Sequence, residues 1–219
     1  FTLQPTLVGE ALLLRPLAAA DLEPLYRCLL PPSPTTLLSV DPFRVGVPHC
    51  CDCCSYDTCC VWSRHASDKL LWADHPANDR YNRPVFEQWF KDALDYGSTL
   101  VAVDNRSGDA VGSSRYYLLD AARQEVAIGF TWLARPHWGG ITNAAMKGLM
   151  LAHAFEQRVG IRTVWFHVAP GNTRSQIATS RIGAALSHRE VIPALGEAEQ
   201  LCFKITRDQY RASTAHPES

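Results

Sequence analysis

The chain has 219 residues, 47% of them hydrophobic and 20% charged, with a formal net charge of -1. That length carries one domain, or one domain with an insertion, and the composition excludes a disordered chain. The near-neutral charge supplies no general field for nucleic acid, no apolar run approaches the ~20 residues that span a bilayer, and the first residues carry no signal-peptide pattern.

Residues 10–15 (EALLLR) read as a first strand, closed by Pro16. Residues 18–30 read as a helix, with Asp21 and Glu23 suited to the positive end of its dipole. Leu22, Leu25 and Leu29 share one of its faces. From residue 28 to 65 the pattern breaks, punctuated by Pro31, Pro32, Pro34, Pro42 and Pro48. Seven of the eight cysteines (Cys28, Cys50, Cys51, Cys53, Cys54, Cys59, Cys60) fall in this segment, and Cys202 stands apart. A disulfide-stapled secreted domain spreads its cysteines through the core. The expectation is therefore a cytoplasmic domain, with residues 28–65 as an irregular Cys/Pro-rich insertion. The run CCDCCSYDTCC, with His49 and His65 nearby, holds enough thiolates for zinc. Tetrahedral sites usually set two CxxC-type pairs apart by a longer spacer. That spacing is missing, so a zinc-dependent interaction module is the lesser alternative and no metal site is expected.

Residues 84–96 (PVFEQWFKDALDY) read as a helix with Pro at its start and Gly97 at its stop. Phe86, Trp89, Phe90 and Ala93 form its apolar face. Residues 99–104 and 110–118 read as a hairpin pair of strands. Residues 124–134 read as the next strand, with Val126, Ile128, Phe130 and Trp132 on one face and Glu125, Ala127, Gly129, Thr131 and Leu133 on the other. A glycine turn and a long helix follow, with Ala144, Gly148, Leu151, Phe155 and Val159 on one face. Close packing against a neighbour is the expected reason for Gly148. Residues 162–168 read as a strand, 173–182 as a short helix stopped by Gly183, and 185–191 and 200–205 as closing strands. This is a mixed α/β sheet of six or seven strands flanked by helices.

Two stretches carry chemistry. The strand ending before Pro136, then Trp138-Gly139-Gly140 and a helix starting near Thr142 or Asn143, can build an anion site. Glycines permit close backbone approach, and the first helical N–H groups lack internal partners. A plain helix cap by Thr142 or Asn143 is the competing reading. One strand later, Asn172 could hold a ligand amide and Ser175 could donate a proton to a leaving group. Its competing reading is a turn residue and a helix cap. Trp165 and His167 share a strand face and either line a channel or pack against the sheet.

The ordered stretches LVGEALLLRPL, WADHPANDRYNRPVFEQWF, VGSSRYY, EVAIGFTWLARPHWGG, NAAMKGLMLAHAF and VWFHVAPGNTRSQIATSRIGA resemble the GNAT superfamily of acetyl-CoA-dependent N-acetyltransferases, and within it the ribosomal-protein N-terminal type. The resemblance runs over residues 6–211 as a single N-acetyltransferase domain, interrupted by the 28–65 segment. It implies a GNAT fold and transfer of acetyl from acetyl-CoA to a protein N-terminal or small-molecule amine. It also implies that the strands ending at Leu133 and Val168 splay apart. Backbone groups at Trp132, Leu133 and Ala134 would pair with the pantetheine arm. The turn of Arg135, His137, Trp138, Gly139, Gly140, Thr142 and Asn143 would hold the pyrophosphate. Asn172 would touch the arm, and Ser175 would stand near the thioester sulfur. His75 would lie in a loop near the acceptor entrance.

The chain departs from the family pattern at several positions. One extra residue separates Arg135 from Gly139, and Ile141 stands where many relatives carry a second glycine. Ala127 occupies a position often held by Glu, which leaves Glu125, one pleat away, as the candidate base. Thr179 replaces the tyrosine many members use as acid, which leaves Ser175 as the hydroxyl. Ala127 and Ile141 are the features that favour a non-catalytic acyl-CoA-binding domain as the alternative.

Overall fold

The computed structural model of the chain describes residues 2–29, 79–156 and 160–215. The expectations for residues 30–65, for the zinc reading of their cysteines, for His75 and for Val159 lie outside the described residues. The chain forms β1 (Leu7–Val8), β2 (Leu12–Pro16), a 3-10 turn, α1 (Leu22–Arg27), α2 (Arg83–Tyr96), β3 (Thr99–Asp104), β4 (Ala110–Asp120) and β5 (Glu125–Leu133). It continues through α3 (Thr142–Glu156), β6 (Thr163–Val168), α4 (Thr173–Arg181), β7 (Ala185–Val191), β8 (Glu199–Thr206) and α5 (Arg207–Ala215). The strands form one sheet in the order β1-β2-β3-β4-β5-β6-β8-β7.

The sheet has eight strands rather than six or seven. The extra strand, β1, is two residues long, too short for an alternating pattern to register. The closing helix α5 also escapes sequence reading, because its residues RDQYRASTA present no wide apolar stripe. The core divides between the two faces of the sheet. On one face Met146 and Met150 of α3 pack with Leu12, Leu14, Val126, Ile128, Val164 and Phe166. On the other, Leu25 of α1 and Phe86, Trp89 and Phe90 of α2 pack with Val101 and Trp132.

Every neighbouring pair of strands is antiparallel except β5 and β6. These two pair in parallel only from Glu125↔Thr163 to Ala127↔Trp165. From Ile128 and Phe166 onward they run on unpaired. A β-bulge accompanies the divergence. The β4–β5 register shifts between Ser113 and Arg115, and Phe130 takes a positive φ of 51°. A bulge adds a residue to one strand and bends it away from its neighbour.

The bulge also corrects the expected faces of β5. Val126 and Ile128 pack with Leu133 on the α3 side, whereas Trp132 packs with α2 on the other. The extra residue at Phe130 reverses the alternation, so Val126, Ile128, Phe130 and Trp132 do not form one face. The expected face of α3 shifts as well. Ala144 and Gly148 are exposed, and the buried residues are Met146, Lys147, Met150, Leu151, His153, Ala154 and Phe155. A Cβ at Gly148 would meet nothing within 4 Å, so close packing is not the reason for that glycine. Apolar residues lie nearly all round this helix, which leaves its inward face ambiguous in the sequence.

Gly112 does have a steric reason. A Cβ there would fall 2.2 Å from the Trp132 carbonyl oxygen and 2.9 Å from the Leu133 Cα, across the bulged pair. Backbone atoms cannot swing aside as a side chain could. Gly112→Ala is expected to lower stability by about 1–3 kcal/mol, the usual cost of overpacking. A shifted midpoint in chemical denaturation would show it.

Candidate functional site

The divergence of β5 and β6 opens a cleft of about 560 Å³. Binding sites for small molecules commonly fall in this size range. The cleft is lined from β5 by Ile128–Leu133, from β6 by Phe166, His167 and Val168, and from α3 by Asn143 and Lys147. Residues at the start of α4, Asn172, Arg174 and Ser175, complete it, with His137, Trp138 and Gly139 from the turn before α3. It therefore has a closed end, where β5 and β6 rejoin at Ala127 and Trp165, and an open end at the starts of α3 and α4.

The open end is built for an anion. Gly139 takes a φ of 70°, which favours glycine, and a Cβ on Gly139 or Gly140 would meet nothing within 4 Å. Thr142 is the first residue of α3, so the cap position falls to Ile141, whose side chain offers no acceptor. The Ile141 carbonyl accepts from the Ala145 N–H at 2.8 Å. The first-turn N–H groups are left to an outside partner. Two cations gather beside them: the Arg135 and Arg174 guanidinium carbons lie 5.4 Å and 4.3 Å from the centre of the Trp138 ring. That ring is fixed by its own N–H, which donates to the Leu133 carbonyl at 2.7 Å. Helix N-termini and arginines together suit phosphate groups. Ile141 does not damage this turn. The left-handed residue is Gly139, and Ile141 points outward, 75% exposed.

At the start of α4, Asn172 accepts from the Ser175 backbone N–H at 3.0 Å and so caps the helix. The capping reading is correct for its oxygen, and the Nδ2 donors remain for a ligand. The Ser175 hydroxyl has no hydrogen-bond partner among the described residues and lines the cleft. Thr179, one turn further on, is buried and also lines it.

The structure brings Trp132, Leu133, His137, Trp138, Gly139, Asn143, Asn172 and Ser175 together in one cleft. Arg135 reaches it through Trp138, while Ala134, Gly140 and Thr142 lie beside it without lining it. Ala134 is not open to a ligand through its backbone N–H, which donates to the Val111 carbonyl at 2.8 Å. Glu125 is not brought to the cleft. It pairs opposite Thr163, two residues before the last paired residue of β5, and does not line the cleft.

Three further residues line the cleft: Tyr117 and Lys147, which sequence reasoning did not single out, and His167, for which the channel reading was one of two alternatives. Tyr117 of β4 and His167 of β6 share a hydrogen bond of 2.8 Å between the phenol and Nδ1. Both lie on the α2 side of the sheet, opposite Phe166 and Val168. Burial pushes the Tyr117 phenol up and the His167 imidazole down to about 4, so the histidine is neutral at pH 7. Gly129 makes room for this pair, because a Cβ there would lie 2.9 Å from the Tyr117 ring. The third residue, Lys147 of α3, is buried. Outside the cleft, His188, Glu190 and Cys202 bring three possible ligand atoms within 4.8 Å of one another. His188 Nε2 already pairs with Glu190 Oε2 at 3.3 Å on the exposed surface of β7, and we place no metal there.

Among the described residues no helix is long and apolar enough to cross a membrane. A family model described as an acetyltransferase (GNAT) domain matches residues 57–185, more than half of the chain. No curated protein sequence matches it. Solved structures with the same fold include a GCN5-related N-acetyltransferase from Brucella melitensis, with a TM-score of 0.69 at 15% identity, covering 95% of this chain and 81% of that one. A GNAT-family acetyltransferase from Bacillus anthracis aligns with a TM-score of 0.63 at 12% identity, covering 93% and 99%. A candidate ribosomal-protein-serine acetyltransferase from Vibrio cholerae aligns with a TM-score of 0.61 at 14% identity, covering 94% and 99%.

Proposed function

The chain belongs to the acetyltransferase (GNAT) domain family, and we propose that it binds acetyl-CoA in the β5–β6 cleft and transfers the acetyl group to a protein N-terminal or small-molecule amine by direct attack. One observation carries this reading: a phosphate cradle at the open end and an unengaged hydroxyl, Ser175, share one cleft between two diverging strands. The N–H groups of α3, with Arg135 and Arg174, hold the pyrophosphate. The pantetheine arm runs between the unpaired edges of β5 and β6, where backbone groups of Ile128–Leu133 that face away from β4 receive it. The Asn172 amide meets the arm.

The amine approaches from the α2 side of the sheet, past Tyr117 and His167. It must be neutral to attack. Its nitrogen bonds to the acetyl carbon, the C–S bond breaks, and the amine proton leaves through water or the Tyr117–His167 pair. Ser175 passes a proton to the departing CoA thiolate and is reprotonated by the proton the amine gives up, so the thiol leaves and the hydroxyl is restored. Positioning supplies much of the rate, and proton transfer adds to it. The expected compartment is the cytoplasm, on the clustering of the cysteines already described.

Among amines, a protein N-terminus is the first to test, because the sequence resemblance points to the ribosomal-protein type. Thiol release from acetyl-CoA, followed against short peptides with free N-termini and against small amines, checks the reading. Release that depends on the amine supports an enzyme. Binding of acetyl-CoA with no amine-dependent release across the panel would instead mark a non-catalytic acyl-CoA-binding domain.

A further inference from the structure

Two arginines stand together on the α2 side of the sheet, the side from which the amine approaches. Arg80, just before α2, lines the cleft, and its guanidinium carbon lies 5.6 Å from the centre of the Trp89 ring. Arg115 of β4 is 7% exposed. Its guanidinium carbon lies 4.4 Å from the centre of the Phe130 ring and 4.7 Å from that of Tyr96. Its Nε donates to Thr99 Oγ1 at 3.1 Å, and among the described residues its two terminal nitrogens find no acceptor. The carboxylate whose field reaches Arg115 is Asp92, which is exposed and accepts from Gln88 at 2.8 Å instead. Burial and the charge of Arg115 push Arg80 down to about 10, and burial lowers Arg115 as well. Two like charges held near each other with little solvent call for an anion, and a guanidinium fork matches a carboxylate.

The position of the pair narrows what carries that anion. Arg115 pairs opposite Gly129, which lines the cleft. The Phe130 ring, also in the cleft lining, touches both Arg115 and Tyr117, whose ring centre lies 5.1 Å from it. Tyr117 stands two residues along β4 from Arg115, about 7 Å of strand rise, and holds His167. On the reading above the amine passes Tyr117 and His167, so the charges lie about one residue's length from its path. Arg80 also lines a second pocket, of about 440 Å³, with Gln88 and Trp89 of α2. It therefore stands between the cleft and a recess on the α2 surface, where the rest of an acceptor has room.

We propose that Arg80 and Arg115 recognise a carboxylate on the acceptor, which is therefore an amine carrying an acid group about one residue's length from its nitrogen. A peptide N-terminus followed by an acidic residue has this chemistry, and so does a small amino acid with separated amine and acid. Arg80 meets the carboxylate from the cleft wall. Arg115 adds its charge, with its place fixed by Thr99, Phe130 and Tyr96. The reaction is unchanged. The amine nitrogen bonds to the acetyl carbon, CoA leaves as the thiol with the proton the amine gave up, and the carboxylate stays intact. The proposal rests on the acyltransferase reading and adds the acceptor class to it.

Two pairs of acceptors test it with acetyl-CoA. One is a pair of short amidated peptides that differ only in glutamate or glutamine at the second position. The other is γ-aminobutyrate and its amide. In at least one pair the native protein is expected to use the acid with a kcat/KM at least about tenfold above the amide, the scale of one charge-assisted hydrogen bond. A preference confined to one pair supports the proposal and identifies the acceptor as a peptide or as a small amino acid. Arg80→Gln is expected to remove the preference through a higher KM for the acid, and Arg115→Gln to do the same. Equal use within both pairs by the native protein overturns the proposal whether or not the Arg115 variant folds. A preference that survives Arg80→Gln also overturns it. Turnover of both members of a pair without preference for the acid leaves the acyltransferase reading intact and removes only the role of the arginines. Failure to bind or turn over acetyl-CoA with any amine removes both.

Discussion

Lys147→Met is expected to be more favourable to stability at pH 6 than at pH 10.5, by on the order of 5 kcal/mol. The cause is proton linkage. Burial holds the folded-state ammonium at about 7, against 10.5 for an exposed lysine. Each unit of that difference is worth about 1.4 kcal/mol. Below pH 7 both folded and unfolded chains carry the proton, and the full cost of burying the charge is present. Between pH 7 and 10.5 the unfolded chain holds a proton that the folded one has released, so native stability rises with pH. Methionine has no charge to bury at any pH, and its gain therefore fades across that window. Among the described residues the groups facing Nζ are Ser114, Thr131 and Phe166, none of which titrates there. Denaturation midpoints of both proteins at pH 6 and pH 10 check this. An equal gain at both pH values would mean that better packing, not charge, explains it.

Ser175→Ala is expected to lower turnover about 100-fold while changing acetyl-CoA affinity less than about threefold. General acid catalysis by one group is worth that much. Because Asn172 caps α4 through the backbone N–H of Ser175, alanine keeps the cap and the fold. Asn172→Ala, by contrast, loses the cap and is expected to cost about 1 kcal/mol of stability. Steady-state rates beside calorimetric affinities separate the two outcomes. A rate within about threefold of native would remove Ser175 from the proton transfer.

Much of this site was legible before the structure. The strand that stops at Pro136, the glycines after it and the pair Asn172 and Ser175 stand in the sequence as punctuation, and all but Gly140 line the cleft. The bulge at Phe130 was not legible. No glycine, proline or asparagine stands at that residue to mark a positive φ; the pairing with β4 imposes it. That single extra residue reverses the faces of Trp132 and Thr131, so alternation alone misplaced both. Glu125, one pleat from Ala127, lies before the bulge and stays outside the cleft because β5 is still paired with β6 there. Lys147 was invisible for a different reason. A lysine on a helix reads as a solvated residue, because the type is rarely buried. Only the packing of α3 under the diverging strands turns it inward. The pair Tyr117 and His167 stands on strands separated by β5, so its contact is a product of topology.

The measurement closest to the central claim is a calorimetric titration of the full chain with acetyl-CoA. The account predicts one site per chain with a Kd between about 1 μM and 1 mM, the usual span for an enzyme and its substrate. It also predicts at least about tenfold weaker binding when Arg174 is replaced by alanine, through loss of a charged phosphate contact. No heat of binding at millimolar acetyl-CoA, or the same affinity with and without Arg174, would contradict the assignment of the β5–β6 cleft as the acyl-CoA site.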